Sequence, residues 1–141
     1  MDNETKGTAS ELTVASKLVR TGFTVSWPLN QDAYDLVAEK DGKLRRIQIK
    51  TATLNKGGSY RCNTQRGKPP HKPYTKDDCD FVIIHAPYSR DFEDILRDGY
   101  YVIPVKEVES IKMITVFPAG KGKGNLLTCS WEKYNGAWEK I

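Results

Sequence analysis

Cysteine and histidine, the side chains that most often build zinc sites, are scarce in this sequence. It contains three cysteines and two histidines, and none of them has the short CxxC or HxxxH spacing typical of zinc motifs. Cys62, Cys79 and Cys129 are an odd number, which fits ordinary reduced thiols. We therefore expect neither a zinc site nor a disulfide framework.

Motifs for nucleotide binding and serine hydrolysis are also missing. The sequence has no GxxxxGK[ST] loop, no GxGxxG turn after a predicted strand and no GxSxG elbow. No apolar run approaches the roughly 20 residues that span a bilayer, and residues 1–10 lack the basic and apolar regions of a signal peptide. We expect a soluble, cytoplasmic protein that makes no contact with a membrane.

The amino acids that are present predict one globular unit. Of 141 residues, 38% are hydrophobic and 28% are charged, a balance typical of folded rather than disordered chains. A chain of this length buries one core without disulfides or metals. We expect residues 1–141 to form a single domain.

Hydrophobic periodicity divides the chain into one helix and several strands. An amphipathic helix is predicted over residues 8–20, ended by Gly22. The predicted strands are residues 23–27, 34–39, 44–52, 80–87 and 99–105. Asp41-Gly42 is the strongest hairpin signal and joins the second and third strands. The pattern predicts an α/β fold, with a second short helix over residues 106–114.

A basic segment separates the third and fourth predicted strands. Residues 56–76 contain no acidic residue and six cations, which are Lys56, Arg61, Arg66, Lys68, Lys72 and Lys76. Such cations can neutralise phosphates, and we predict that Arg61, Arg66, Lys68 and Lys72 contact DNA. The interleaved Tyr60 and Tyr74 could stack on bases or sugars. The same composition equally fits a solvated surface loop.

The third predicted strand carries an unusual polar pair. In "LRRIQIKT" at residues 44–51, Gln48 and Lys50 share one face of the strand. Pairing about the Asp41-Gly42 hairpin brings Asp35 level with Gln48, and Lys50 lies one pleat beyond. An acid, an amide and an ammonium would converge, which suits metal-assisted phosphodiester hydrolysis. The alternative is a solvated strand face.

Three segments resemble the PD-(D/E)xK nuclease superfamily, which includes restriction enzymes, archaeal-type Holliday junction resolvases and a branch of group I intron homing endonucleases. They are "GTASELTVASKLVRTGF", "YDLVAEKDGKLRRIQIKTA" and "DDCDFVIIHAP" followed by "YYVIP", and they cover most of residues 7–105. The resemblance implies a restriction-endonuclease-like α/β core, in which helices flank a central mixed sheet. The homing branch, whose members carry a QxK motif, is the most similar.

The resemblance also implies a site and a cofactor. Glu11, Asp35 and Gln48 would hold Mg²⁺, and Lys50 would stabilise charge near the attacking water. Gln48 departs from the family pattern, because most members have Asp or Glu at that position and an amide supplies only a neutral oxygen. Glu11 has a second interpretation, since "TASE" beginning at Thr8 is a capping box.

These observations predict a magnesium-dependent DNA endonuclease that acts on double-stranded DNA, with homing endonuclease as the first interpretation. A Holliday junction resolvase is the alternative within the family. A catalytically silent nucleic-acid-binding module of the same fold is the alternative outside enzymes. Because the chain is small and an extended DNA site requires two reading surfaces, we expect a homo-oligomer, either a dimer or a tetramer.

Overall fold

The structure, a computed structural model, describes residues 1–30, 32–67, 69–118 and 131–141. It opens with helix α1, Asn3–Arg20, which begins five residues before the predicted start. Asp2 is the N-cap, and its carboxylate accepts a 2.8 Å hydrogen bond from the Thr5 amide. This cap stabilises the first turn of the helix, because the Thr5 amide would otherwise lack a hydrogen-bond acceptor.

Ten strands follow the helix in the part of the chain that the structure describes. In chain order they are β1 (Thr24–Ser26), β2 (Leu36–Lys40), β3 (Lys43–Thr51), β4 (Thr53–Leu54), β5 (Tyr60–Asn63), β6 (Gln65–Arg66), β7 (Lys72–Pro73), β8 (Phe81–Ala86), β9 (Gly99–Pro104) and β10 (Met113–Val116). The main sheet has the order β1-β2-β3-β8-β9, and β3 and β8 run parallel while the other neighbours are antiparallel. The predicted mixed sheet and α/β class are confirmed.

The hairpin between β2 and β3 turns at the predicted dipeptide. Asp41 and Gly42 both have positive φ, 53° and 78°, the geometry that two-residue hairpin loops favour. Leu36 consequently pairs with Ile47 across the two strands. This register decides which side chains meet at the open end of the hairpin.

The two faces of the main sheet bury separate hydrophobic clusters. Helix α1 covers one face, where Ile47, Ile49 and Ile83 pack against Val14 and Leu18. Full burial of such side chains stabilises the fold by roughly 1.5–3 kcal/mol each. Alternate residues of the same strands point to the second face, as the two-residue period of a strand requires.

The second face of the main sheet is covered by a small sheet of order β10-β5-β4. The helix predicted over residues 106–114 is wrong: a 3-10 turn at Val105–Glu107 precedes β10, whose Ile114 and Val116 are buried. Alternation of exposed and buried residues in β10 has the period of a strand rather than a helix. Within the described ranges, no helix is long and apolar enough to cross a membrane.

Candidate active site

Three of the four predicted catalytic residues meet where β2 begins, beside the carboxyl-terminal half of β3. Asp35 precedes β2, and its amide donates to the Ile47 carbonyl at 2.8 Å. One oxygen of its carboxylate, Oδ2, accepts a 2.7 Å hydrogen bond from the Ile49 amide. The hairpin register therefore sets Asp35 beside Gln48, as predicted from the sequence.

Gln48 is buried rather than solvated. Its side-chain nitrogen Nε2 donates to the Ile49 carbonyl at 3.1 Å, and 9% of its surface is exposed. The alternative of a solvated strand face is therefore wrong for this residue. With the amide nitrogen engaged, the amide oxygen is the atom through which this side chain could reach a cation.

Lys50 lies on the same face of β3 as Gln48 and is also largely enclosed. Its ammonium donates to the Gln65 carbonyl at 3.3 Å and lies 5.1 Å from the centre of the Tyr74 ring. Burial lowers the pKa of Lys50, against the opposing effects of Cys62 and Asp35. A desolvated ammonium interacts more strongly with a nearby anion than a hydrated one does.

The carboxyl groups of Asp35 and Glu11 are both disfavoured in their ionised forms. Burial raises the pKa of Asp35, although the Ile49 amide and Lys50 act in the opposite direction. Burial also raises the pKa of Glu11, and the negative charge of Asp35 adds to that effect. Helix α1 thus brings Glu11 close enough to the strand residues for the charge of Asp35 to act on it.

The capping-box interpretation of Glu11 is wrong. Helix α1 is capped at Asp2, so Thr8 and Glu11 lie well inside the helix rather than at its first turn. Glu11 is partly buried and makes no ion pair with any residue that the structure describes. Its position is therefore explained by the neighbouring carboxylate and not by the helix end.

A cavity of about 520 Å³ opens beside these residues. Asp35, Gln48, Arg66, Gly67 and Tyr74 are among its lining residues, whereas Glu11 and Lys50 are not. The cavity thus brings an arginine and the aspartate into one lining, and that arginine also forms an ion pair with Asp78.

The predicted DNA-contacting residues are spread over the small strands of the basic segment. Arg61 on β5 and Lys72 on β7 are exposed, whereas Arg66 on β6 forms an ion pair with Asp78. Lys68 lies outside the described residues. Exposed cations at these positions remain available to a phosphate backbone.

The predicted aromatic stacking by the basic segment is wrong. Tyr60 is fully buried, and 4% of Tyr74 is exposed. Both rings belong to the hydrophobic cluster on the second face of the main sheet. The sequence indicated a loop because the segment is rich in Lys and Gly, but β5 supplies alternate buried residues to the core.

A buried polar network behind the catalytic face was not predicted. Thr51 Oγ1 donates to Ser10 Oγ at 2.7 Å, and Ser10 Oγ lies 2.8 Å from His85 Nδ1. His85 Nε2 lies 2.7 Å from Asp98 Oδ2, and both of these side chains are fully inaccessible. The network ties α1 to β3 and β8 next to Glu11 and Lys50, so it is expected to fix the spacing of those two residues.

The site offers oxygen ligands of the kind that a hard divalent cation requires. Asp35, Glu11 and Gln48 supply carboxylate and amide oxygens, which suit Mg²⁺ better than zinc. In the described part of the chain, no three His, Cys, Asp or Glu side chains form a ready metal cluster. A cation here would rest on two carboxylates and an amide, and Mg²⁺ commonly keeps several waters in sites of this type.

Comparison with known proteins agrees with this geometry. Residues 1–123 match the family described as PD-(D/E)XK endonuclease, and the chain belongs to that family of nucleases. The family predicted from the sequence is thus confirmed.

Two individual proteins are similar to parts or all of the chain. Protein 5.3 of Escherichia phage T7 is 52% identical over 48 residues, which are 33% of this chain and 41% of that protein, so the match spans less than half of the relative. The fold is similar to that of I-Ssp6803I, described as a bacterial homing endonuclease, with a TM-score of 0.81. That likeness covers 100% of this chain and 93% of the other at 23% identity, and it shows the fold.

Proposed function

We propose that this chain is a magnesium-dependent DNA endonuclease that hydrolyses phosphodiester bonds, and that it acts as an intron-type homing endonuclease. The observation that carries the proposal is the convergence of Asp35, Gln48 and Lys50 at one end of the β2–β3 hairpin. Burial raises the pKa of Glu11, and this residue is close enough for the charge of Asp35 to add to that effect. The overall likeness to a bacterial homing endonuclease supports the choice of substrate class.

The donor set fits Mg²⁺, because burial disfavours the charged forms of Asp35 and Glu11 and a cation beside them would favour those forms. When bound, the ion would polarise the scissile phosphate and lower the pKa of a coordinated water. Gln48 would contribute its amide oxygen to the same ion. Lys68 aside, the exposed cations Arg61 and Lys72 would orient the duplex by contacts to its backbone.

The remaining chemistry belongs to the side chains of the chain itself. A water oxygen attacks phosphorus and gives up one proton to solvent, while the bond from phosphorus to one ester oxygen breaks and that oxygen leaves as a hydroxyl after taking a proton from solvent. Lys50 lies where its ammonium would stabilise the negative charge that develops on the phosphate oxygens. Its contact with the Gln65 carbonyl and the Tyr74 ring holds that ammonium in one position.

The test is to incubate the protein with plasmid DNA carrying a candidate target and with a four-way junction, each with and without Mg²⁺. A homing endonuclease cuts the defined duplex sequence, whereas a Holliday junction resolvase cuts the junction irrespective of sequence. The Asp35→Asn variant serves as the control for a contaminating nuclease. DNA that is bound but uncut with every divalent metal would contradict the enzyme and favour a silent binding module, for which the neutral Gln48 is the motivating observation.

The assembly is part of the same proposal. A chain of 141 residues presents one catalytic site, and cutting both strands of an extended target requires at least two such sites. We expect light scattering to give the mass of a homodimer or a homotetramer. A monomeric mass in the presence of target DNA would contradict this expectation.

A further inference from the structure

We propose that a second groove, beside the catalytic strand, binds backbone phosphates of the DNA that is being cut, and that Lys6 and Arg90 are its principal contacts. This inference rests on the proposed nuclease function. The groove is a cavity of about 470 Å³ between α1, the end of β3 and the segment that follows β8. We call it the Lys6–Arg90 groove.

The groove lies directly beside the catalytic strand. Thr51 lines it and follows Lys50 in the chain. Because β3 and β8 are parallel, their carboxyl ends lie at the same edge of the sheet, and Pro87 just beyond β8 also lines the groove. Ligands of open α/β sheets bind outside the carboxyl ends of strands.

The charges of the groove favour an anion. Lys6 on α1 and Arg90 after β8 line different walls, and no acidic side chain is among the lining residues. Neither cation forms an ion pair within the ranges that the structure describes. Glu4 and Asp91 are close in sequence but do not line the cavity. Two cations without an ion-pair partner that line one cavity from different elements favour the binding of phosphate oxygens.

The other walls of the groove suit a nucleotide backbone. Asn3, Thr53 and Ser89 add amide and hydroxyl groups, which are common contacts to phosphate and sugar oxygens. Leu54 and Phe92 add apolar surface. The Thr51 hydroxyl is already engaged with Ser10, so it is not counted among the free donors.

The spacing from the catalytic residues identifies which phosphates are involved. Thr53 is three residues beyond Lys50, and a strand advances about 3.3 Å per residue, so the two lie at most about 10 Å apart along the chain. One DNA strand carries a phosphate about every 3.4 Å of helix axis. The groove would therefore hold phosphates roughly three nucleotides from the scissile bond.

The test compares two double variants of equal charge change. Lys6→Gln with Arg90→Gln removes the groove cations. Lys43→Gln with Lys106→Gln removes cations at the opposite end of the sheet, where β3 begins and just after β9 ends. Affinity for a target duplex is measured without divalent metal over a series of salt concentrations, so that no cleavage occurs. A parallel thermal unfolding series with inorganic phosphate tests for a site that binds free anions only.

The groove variant should bind the duplex more weakly, and the slope of log affinity against log salt should fall by about 2, since each lost phosphate contact removes about 0.9. The control variant should keep the wild-type slope. An unchanged slope in the groove variant, with wild-type protein that binds and cuts DNA, would overturn this inference alone. Stabilisation of wild type by inorganic phosphate that the groove variant loses, without any change in slope, would also overturn it. Wild-type protein that neither binds nor cuts DNA would overturn the proposed function itself.

Discussion

Two aspartates of this protein lie in opposite environments. The side chain of Asp98 is fully buried, and both of its oxygens are satisfied, one by His85 Nε2 at 2.7 Å and the other by the Tyr88 amide at 2.8 Å. Asp35 accepts one hydrogen bond from the described residues, from the Ile49 amide, and its pKa is raised by burial. Both oxygens of the Asp98 carboxylate thus accept hydrogen bonds within the protein. Among the described residues, only one oxygen of the Asp35 carboxylate does so.

The difference separates an acid that stabilises the fold from a candidate metal ligand. A buried carboxylate with satisfied oxygens contributes to the fold, because removing a partner leaves other groups unpaired. A carboxylate whose pKa is raised by burial costs free energy when it is ionised, and a bound cation would offset that cost. The pKa of both Asp35 and Glu11 is raised in this way.

The largest expected effect is on Asp35. Asp35→Asn should abolish magnesium-dependent cleavage, with a loss of at least about 10²-fold, since metal-assisted charge stabilisation supplies several kcal/mol. Its stability should not fall, because the ionised carboxylate is disfavoured in the folded state. Plasmid cleavage and urea unfolding measure the two quantities. Wild-type cleavage by this variant would remove Asp35 from the site.

Substitution of Lys50 should also lower cleavage without lowering the stability of the fold. Lys50→Met removes the ammonium but keeps much of the side-chain volume, and we expect cleavage to fall by about 10²-fold. Burial lowers the pKa of Lys50, so loss of its charge should leave the free energy of unfolding unchanged or raise it. Lys50→Arg is the matched control that keeps the charge. Equal cleavage by the methionine variant and wild type would show that the ammonium has no catalytic role.

Substitution of Asp98 should lower the stability of the fold, whereas substitution of Asp35 should lower cleavage and not stability. Asp98→Ala leaves His85 Nε2 and the Tyr88 amide without their acceptor, and we expect the free energy of unfolding to fall by about 3 kcal/mol. Urea unfolding of Asp98→Ala and wild type measures this loss. A variant as stable as wild type would show that the buried network does not hold the fold together.

Gln48 is expected to give the smallest effect on cleavage. Gln48→Glu places a further charge beside Asp35, so the midpoint of a magnesium titration of cleavage should move to lower concentration. Because Gln48 is buried and lies beside Asp35, the metal-free variant should also be slightly less stable, by about 1 kcal/mol. Superimposable magnesium titrations of wild type and Gln48→Glu would show that Gln48 does not contact the metal.

The catalytic face could be predicted from sequence because its geometry is local. Asp41 and Gly42 specify a two-residue turn, and the turn specifies the register that joins Asp35 to Gln48. The partnership of Ser10 with His85 could not be predicted in this way. It joins residues 75 positions apart, and no local pattern relates a helix residue to the end of a distant strand.

The errors in the basic segment and in residues 106–114 have a related cause. Lys-rich and Gly-rich composition indicated a loop over residues 56–76, and a short helix was predicted over residues 106–114. Tertiary packing against the second face of the main sheet decided both, since β5 and β10 pair with each other through Cys62 and Ile114. Intrinsic preferences of short segments yield to such contacts.

The central claim is that Asp35 and Glu11 jointly hold a divalent cation, and its most direct test is the effect of Mg²⁺ on unfolding at two pH values. For a carboxyl whose folded pKa is raised, the folded state binds protons more tightly than the unfolded state. The contribution of Asp35 and Glu11 to stability is therefore greatest at low pH and declines as pH rises through the unfolded pKa toward the raised folded value.

A bound cation should reverse that decline above the raised pKa. We predict that a saturating Mg²⁺ concentration raises the free energy of unfolding of wild type by about 1–3 kcal/mol near pH 8 and has little effect near pH 3, which lies below the ordinary pKa of both carboxyls. Asp35→Asn should lose the Mg²⁺ effect at both pH values. Equal stabilisation of wild type and Asp35→Asn by Mg²⁺ near pH 8 would contradict the account.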